Sequence, residues 1–251
     1  LLPHGDLEGD AEADATAGAE AQPFRFQRVH YRGPGAKVSG VYLPCDALGG
    51  DLYDVIPFPD GSLGVTVADV SGHGVPAGFI TAIYKSSFYR LTHGRMRPGE
   101  VLFHLNNELA DIVKSGDYVT AFYCRLLPDG TGLEYSGAGH PYPLLYRHAE
   151  RRMVRLDRNG TPLVWIPGID YPEAEERLAP GDKLLLFTDG ITEIQNPQGE
   201  LFGEEALAEL FQSLIEAEAP CLLDRVIHRL SDFTEGHPLQ DDMSMVLVEI
   251  A

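Results

Sequence analysis

Basic residues are scarce in this sequence. Its 251 residues include 19 Lys and Arg against 38 Asp and Glu, which gives a formal net charge of −19 at pH 7. Proteins that bind nucleic acid or an anionic membrane surface need a basic surface patch. The composition therefore argues against both kinds of partner.

Cysteines and long apolar runs are also rare. The three cysteines, Cys45, Cys124 and Cys221, are too few and too far apart for a disulfide framework or a Cys-x-x-Cys metal site. No apolar run approaches the roughly 18–20 residues of a membrane span, and no signal peptide is recognisable at the start. These absences predict a cytoplasmic protein. The first residue is Leu rather than Met, which indicates a fragment of a longer chain.

The first 24 residues have a composition of their own. Six of them are acidic, the first Lys or Arg of the chain is Arg25, and half of the others are Ala or Gly. Low hydrophobicity and charge of one sign predict an acidic linker or loop over residues 1–24, with an acidic docking arm as the alternative. Residues 25–251 are predicted to form one large domain.

Strand-like and helix-like segments come in clusters along this domain. Predicted strands lie at 38–43, 51–58, 63–70, 118–126, 132–136, 142–146, 153–156, 183–187 and 244–250. Predicted helices follow Pro76 and Pro98 and cover 204–215 and 221–233. The apolar residues at helical spacing are Phe79, Ile80, Ile83, Phe88 and Leu91 in the first helix, and Val101, Leu105, Leu109 and Ile112 on a core-facing stripe of the second. Because strands and helices do not alternate regularly, the pattern predicts an α+β fold with antiparallel sheets.

Four segments share one arrangement, in which an apolar strand adjoins an Asp beside a Gly or a second Asp. They are Gly49-Gly50-Asp51, Ala68-Asp69-Val70-Ser71-Gly72, Thr188-Asp189-Gly190 and Gln240-Asp241-Asp242. Each one alone is typical of a turn. Two carboxylates ~4 Å apart repel by ~4 kcal/mol at an effective dielectric of ~20, so several of them share a site only if a cation is present.

The types of ligand indicate which cation this would be. Carboxylate, carbonyl and water ligands without Cys or His favour Mg²⁺, Mn²⁺ or Ca²⁺. Two such ions ~3.5–4 Å apart are the usual arrangement for hydrolysing a phosphoester. The aspartates therefore predict a site for hard divalent cations.

Six motifs, in order and spacing, resemble the SpoIIE/RsbU-type serine phosphatases, the bacterial branch of the metal-dependent type 2C (PPM) protein phosphatases. The motifs are GGDLYD (49–54), VADVSGHGVPAG (67–78), GAGHPYPLL (137–145), GDKLLLFTDGITE (181–193), NPQGELFG (196–203) and QDDMSMVLVEI (240–250). The resemblance implies an α-β-β-α sandwich, in which two packed antiparallel sheets are flanked by helices and the metals lie at one edge.

The resemblance also implies a role for each matching residue. Asp69 matches the aspartate that bridges two divalent cations, Mn²⁺ or Mg²⁺, and the carbonyl of Val70 matches a backbone ligand of the first ion. Asp51 matches the carboxylate that holds a water near the first ion. Asp189 and Asp241 match the ligands of the second ion.

Four further side chains near these motifs have open roles. Asp242 is either an alternative ligand of the second ion or a residue behind the ligands. His73 is a candidate general acid for the leaving group, and a structural role in its Gly-rich turn is the alternative. His140 raises the same pair of alternatives. Ser71 lacks the Gly-x-Ser-x-Gly frame of a nucleophile.

The implied activity is hydrolysis of phosphoserine or phosphothreonine by a metal-activated water in a binuclear Asp site. Members of the family commonly act on an anti-sigma-factor antagonist protein, so a phosphorylated protein of this kind is the implied substrate. The chain is expected to be the output domain of a larger signalling protein, with an upstream sensor or receiver domain that acts on the helices after Pro76. The oligomeric state is left open, with a homodimer as one option.

Three other functions compete with this interpretation. An inactive relative used as a binding module would lack a ligand Asp, and a metal-dependent phosphodiesterase would pair His with Asp. A calcium-binding interaction domain would need a twelve-residue loop with a closing Glu. One segment departs from the family pattern, because Gly160-Thr161-Pro162-Leu163-Val164 stands where Gly-x-Pro-Leu-Gly is common. We expect this departure to change packing rather than chemistry.

Overall fold

Two β-sheets packed face to face lie at the centre of the protein. We describe it from a computed structural model that covers residues 27–251 apart from residues 34, 46, 47, 73, 95 and 218. The acidic segment 1–24 lies outside the described residues, so its character as a linker stays a prediction.

Elements are numbered in chain order. In the described residues the first sheet contains β1 (Gln27–Arg32), β2 (Ala36–Leu43), β7 (Leu144–Arg147), β8 (Arg152–Arg155), β11 (Lys183–Phe187) and β12 (Met243–Ile250). The second contains β3 (Leu52–Pro57), β4 (Leu63–Val70), β5 (Val119–Leu126), β6 (Gly132–Ala138), β9 (Asn159–Gly160) and β10 (Glu173–Arg177). The helices are α1 (Val75–Thr92), α2 (Pro98–Ile112), α3 (Glu204–Ser213), α4 (Ala219–Thr234) and a short 3₁₀ helix (Asp189–Ile191).

The strand order is β1-β2-β12-β11-β7-β8 in the first sheet and β10-β6-β5-β4-β3 in the second. Neighbouring strands pair antiparallel, except that the two-residue β9 pairs parallel with β6. The predicted α+β class with antiparallel sheets is confirmed, and β9 is a small parallel addition to it.

Three apolar layers hold the sandwich together. The layer between the sheets includes Val38, Val65, Val67, Phe122, Leu186, Val246 and Val248. Helices α1 and α2 cover the second sheet through Tyr84, Phe88, Leu102, Leu105, Ala68, Ala121 and Tyr123. Helices α3 and α4 cover the first sheet through Leu207, Phe211, Leu222, Val226, Leu185, Met245 and Leu247. The α-β-β-α arrangement implied by the resemblance is therefore confirmed.

Strand β12 shows why the sequence folds into this arrangement. Val246 and Val248 face the layer between the sheets, whereas Met245 and Leu247 face α3 and α4. A strand that is buried on both faces needs an almost continuous apolar run, and this one has it. β12 lies between β2 and β11, inside the first sheet.

The described residues also bear on two predicted absences. No disulfide bond links the cysteines in the described part of the chain. Among the same residues, every helix is too short or too polar to cross a membrane.

Candidate metal centre

Asp51 and Asp69 are neighbours because strands β3 and β4 pair antiparallel. Leu52 lies opposite Ala68 in this pairing, so Asp51, just before β3, comes next to Asp69 near the end of β4. The side chains of Asp51 and Asp69 share a hydrogen bond. Burial, and then the charge of Asp69, raise the pKa of Asp51 well above its ordinary value.

Asp189 and Asp241 approach from the other sheet. Phe187 at the end of β11 lies opposite Met245 in β12, which places the residues after β11 beside those before β12. The pKa of the half-buried Asp189 is raised to about 6, first by burial and then by the negative charges of Glu193 and Asp241. The carboxylates of Asp189 and Asp241 therefore interact electrostatically.

Asp69 connects the two groups. Its pKa is raised to about 8, chiefly by burial and then by the charges of Asp189, Asp241 and Asp242 in that order of importance. All three of these residues belong to segments that flank the first sheet, whereas Asp69 belongs to the second. The structure thus brings the aspartates singled out in the sequence into one acidic cluster at the edge of the sandwich.

The loop before β3 lies against the end of β4. The N–H of Val70 donates to the carbonyl of Gly50 at 3.3 Å, and the hydroxyl of Thr81 donates to the same carbonyl at 3.0 Å. A Cβ atom on Gly50 would lie 2.6 Å from the carbonyl oxygen of Val70 and 3.3 Å from Oδ1 of Asp69. Only glycine fits this position, and its absence of a side chain keeps the Val70 carbonyl beside the carboxylates.

Asp241 and Asp242 have different environments although they are adjacent. Asp241 is exposed and lines a cavity of about 220 Å³ beside Gly190. Asp242 is only 3% exposed, and its two carboxylate oxygens accept the backbone N–H groups of Cys45 at 2.7 Å and of Asp51 at 3.3 Å. Asp241 therefore faces the open side of the cluster and Asp242 its interior.

Most of the sequence matches one protein family. The Stage II sporulation protein E (SpoIIE) family matches residues 59–251. This chain belongs to the SpoIIE family. The matched region contains Asp69, Asp189 and Asp241, whereas Asp51 lies just before it.

The chain is also similar in sequence to individual phosphatases. The phosphoserine phosphatase RsbU of Bacillus subtilis (strain 168) is 25% identical over 218 residues, which are 84% of this chain and 62% of that protein. The chain spans 37% to 62% of the length of the curated relatives that it matches first.

Solved structures share the fold. The SiaA-PP2C domain of Pseudomonas aeruginosa superposes with a TM-score of 0.77 at 21% identity, covering 85% of this chain and 86% of that one. The catalytic domain of the serine threonine protein phosphatase PstP, solved with 2 manganese ions, superposes with a TM-score of 0.64 at 13% identity, covering 86% and 99%. At these identities the two superpositions establish the α-β-β-α fold alone.

The donor set of this SpoIIE-family domain fits a hard divalent cation that keeps part of its water. The donors described above are carboxylates and the carbonyl of Val70, with no His or Cys side chain among them. In the described part of the chain, no three Asp, Glu, His or Cys side chains form a group that could hold a metal ion by themselves. Mg²⁺ usually binds one or two carboxylates and retains several waters, so such a cluster suits it.

The remaining candidates of the SpoIIE motifs have structural contacts or lie outside the described residues. The hydroxyl of Ser71 accepts the N–H of Tyr118 at 2.9 Å. His140 is buried with Nδ1 2.9 Å from Oγ1 of Thr120, and burial lowers its pKa to about 3, so it is neutral at pH 7. His73 lies outside the described residues, and its role as a general acid stays a prediction.

Thr188 is a residue of the site that the sequence interpretation missed. It is fully buried, and its hydroxyl donates to Oδ2 of Asp51 at 2.7 Å. The available signal was its place directly before Asp189 in the SpoIIE motif GDKLLLFTDGITE. That signal did not indicate a partner, because Asp51 is 137 residues away in sequence.

Proposed function

We propose that this chain is the catalytic domain of a metal-dependent protein serine/threonine phosphatase. The observation that carries the proposal is the meeting of Asp51, Asp69, Asp189 and Asp241 at one edge of the sandwich. Ionised carboxylates that raise one another's pKa need a compensating positive charge, which two divalent cations, Mn²⁺ or Mg²⁺, supply. The PstP structure with 2 manganese ions supports this number, and the name of RsbU supports the activity.

In this proposal the chain's own residues divide between the two ions. Asp69 is the ligand of both, because its carboxylate interacts with Asp51 on one side and with Asp189 and Asp241 on the other. Asp51 and the carbonyl of Val70 would be ligands of the first ion. Asp189 and Asp241 would be ligands of the second.

When bound, the ions would activate a water for attack on phosphorus and neutralise the phosphoryl oxygens. The chain contributes the acidic cluster that holds them, with Asp51 oriented by the hydroxyl of Thr188. The chain itself offers no cysteine nucleophile for a covalent route, because none of its cysteines stands in a Cys-x5-Arg sequence. Direct hydrolysis by water is therefore the reaction that these residues favour.

The proposed substrate is phosphoserine or phosphothreonine on a protein of the anti-sigma-factor antagonist class. The exposed carboxylate of Asp241 and the cavity of about 220 Å³ beside it leave the cluster open at the surface, where a phosphorylated side chain can enter. Because the chain spans 37% to 62% of its first curated relatives, we propose that an upstream sensor or receiver domain controls it. The scarcity of cysteine supports a cytoplasmic location.

The test is turnover of p-nitrophenyl phosphate and of a phosphoserine peptide with Mn²⁺, with and without a chelator. We expect activity that depends on the ion and is abolished by Asp69→Ala. The matched control is Asp111→Ala, which removes an exposed carboxylate on α2 and should keep the wild-type rate. Turnover that survives chelation, or a wild-type rate in Asp69→Ala, would contradict the proposal.

A further inference from the structure

The carboxylate of Asp242 is committed to the segment that carries Asp51. Its Oδ1 accepts the N–H of Cys45 at 2.7 Å, and its Oδ2 accepts the N–H of Asp51 at 3.3 Å. The hydroxyl of Tyr42 forms a further hydrogen bond with this carboxylate. Asp242 is only 3% exposed, and these contacts tie the backbone at Cys45 and at Asp51 to the start of β12.

Two glycines leave room for this contact. A Cβ atom on Gly49 would lie 2.0 Å from Oδ2 of Asp242 and 2.0 Å from the hydroxyl oxygen of Tyr42. A Cβ atom on Gly190 would lie 1.9 Å from the carbonyl oxygen of Asp242. All three distances are far below van der Waals contact, so Gly49 and Gly190, beside Asp51 and Asp189, lie directly on Asp242.

Thr188 binds the carboxylate of Asp51 and is itself hydrogen-bonded to Ser244 in β12. The N–H of Ser244 can only donate, and it donates to Oγ1 of Thr188 at 2.9 Å. The hydroxyl proton of Thr188 is then directed to Oδ2 of Asp51 at 2.7 Å. The N–H of Thr188 also donates to the carbonyl of Ser244 at 3.1 Å, so the register of β11 and β12 sets the position of the hydroxyl.

We infer that Asp242 and Thr188 are positioning residues for Asp51. Asp242 fixes the backbone of Asp51 and Thr188 fixes its carboxylate, so the carboxylate is in place before an ion arrives. The inference rests on the proposed function and makes Asp241, not Asp242, the ligand of the second ion. The geometry supports this division, because the oxygens of Asp242 face two backbone donors whereas Asp241 faces the cavity.

The first test compares Thr188→Val, which removes the hydroxyl at nearly constant volume, with Thr188→Ser, which keeps it. We measure the Mn²⁺ dissociation constant by calorimetry and kcat for p-nitrophenyl phosphate at saturating Mn²⁺. Removing a residue that orients a metal ligand typically weakens metal binding by about 10–100-fold. We expect a loss of this size in Thr188→Val, with Thr188→Ser close to wild type and most of kcat recovered by excess Mn²⁺.

The second test compares Asp242→Asn with Asp241→Asn. In Asp242→Asn the introduced amide would present an N–H₂ group to the N–H of Cys45 or of Asp51, so one of these two hydrogen bonds is lost. We expect Asp242→Asn to bind Mn²⁺ about 10–100-fold more weakly and to recover turnover at saturating Mn²⁺. Asp241→Asn removes a ligand, so its turnover should not recover.

The two tests separate this inference from the proposed function. Wild-type protein that neither binds Mn²⁺ nor turns over would overturn both. If the wild type binds Mn²⁺ and Thr188→Val binds it equally well, the inference alone is wrong. It is also wrong if Asp242→Asn stays folded by circular dichroism but never recovers turnover. If Asp242→Asn does not fold, the comparison of Thr188→Val with Thr188→Ser decides.

Discussion

The side chain of Asn106 holds Val164 in a backbone conformation that a β-branched residue rarely adopts. Oδ1 of Asn106 accepts the N–H of Val164 at 2.7 Å, and Nδ2 donates to the carbonyl of Ile166 at 2.9 Å. The φ angle of Val164 is 81°, in the left-handed region that favours glycine. Val164 is also the position where the family pattern commonly has Gly, so the departure places strain in the backbone as well as changing the packing.

Replacing Val164 with glycine should therefore lower the free energy of unfolding less than replacing a half-buried valine that has a negative φ angle. The left-handed conformation costs an L-residue about 1–2 kcal/mol, which Val164→Gly relieves while it removes a half-buried side chain. Val154→Gly in β8 removes a half-buried valine at a negative φ and is the control. We expect urea unfolding to show a loss smaller by at least about 1 kcal/mol for Val164→Gly. Equal losses in the two variants would contradict the strain.

Gly50→Ala should disturb the site without unfolding the sandwich. The added methyl group would lie 2.6 Å from the carbonyl oxygen of Val70, so the carbonyl must move. We expect weaker Mn²⁺ binding and at least about tenfold lower turnover at limiting Mn²⁺, in line with a displaced ligand. Gly78→Ala on α1 is the control, since its methyl group meets Leu48 at an ordinary 3.4 Å. Wild-type Mn²⁺ affinity in Gly50→Ala would show that the Val70 carbonyl is no ligand.

Removing the charge of Asp69 should reduce the pH dependence of stability in the metal-free protein. The pKa of this carboxyl rises from 3.8 to about 8 on folding, chiefly because of burial. Between these values the folded state holds a proton that the unfolded state lacks, so the free energy of unfolding falls as the pH rises through this window. We expect Asp69→Asn in chelator to lose less stability than wild type between about pH 6 and about pH 8.

Urea unfolding at the two pH values gives the measurement for this comparison. Excess Mn²⁺ should raise the free energy of unfolding of the wild type more than that of Asp69→Asn, because only the wild type gains the free energy of binding. Parallel pH profiles for wild type and variant in chelator would rule out the charge of Asp69 as the cause.

The fold was predictable where burial leaves a periodic apolar pattern. The strand predicted at 244–250 corresponds to β12 (Met243–Ile250), and the predicted prolines open α1 and α2. Strand β10 (Glu173–Arg177) was missed, because its sequence EAEER lies at a sheet edge with no buried face. β1 (Gln27–Arg32), also an edge strand, was missed although its Tyr31 is buried between the sheets.

Periodicity also assigned two side chains to the wrong environment. Ile112 was predicted on the core stripe of α2, and Phe79 was grouped with the apolar side chains of α1. In the structure they are 55% and 67% exposed, respectively. Apolar spacing predicts a helix, but it does not tell where the neighbouring layer stops covering it.

The site was predictable as a set of aspartates and not as a set of contacts. Motif order marked Asp51, Asp69, Asp189 and Asp241, and the structure brings them together, although their action as ligands stays a proposal. The contact of Thr188 with Asp51 depends on how the two sheets pack on each other. No local pattern in the sequence encodes that packing.

Strand β12 is made late in the chain but lies between β2 and β11, and the residues just before it include Asp241 and Asp242. A chain that ends before Asp241 therefore leaves β2 and β11 without the strand between them and lacks both of these aspartates. Such a truncation is expected to remove the closure of the first sheet and the proposed activity together.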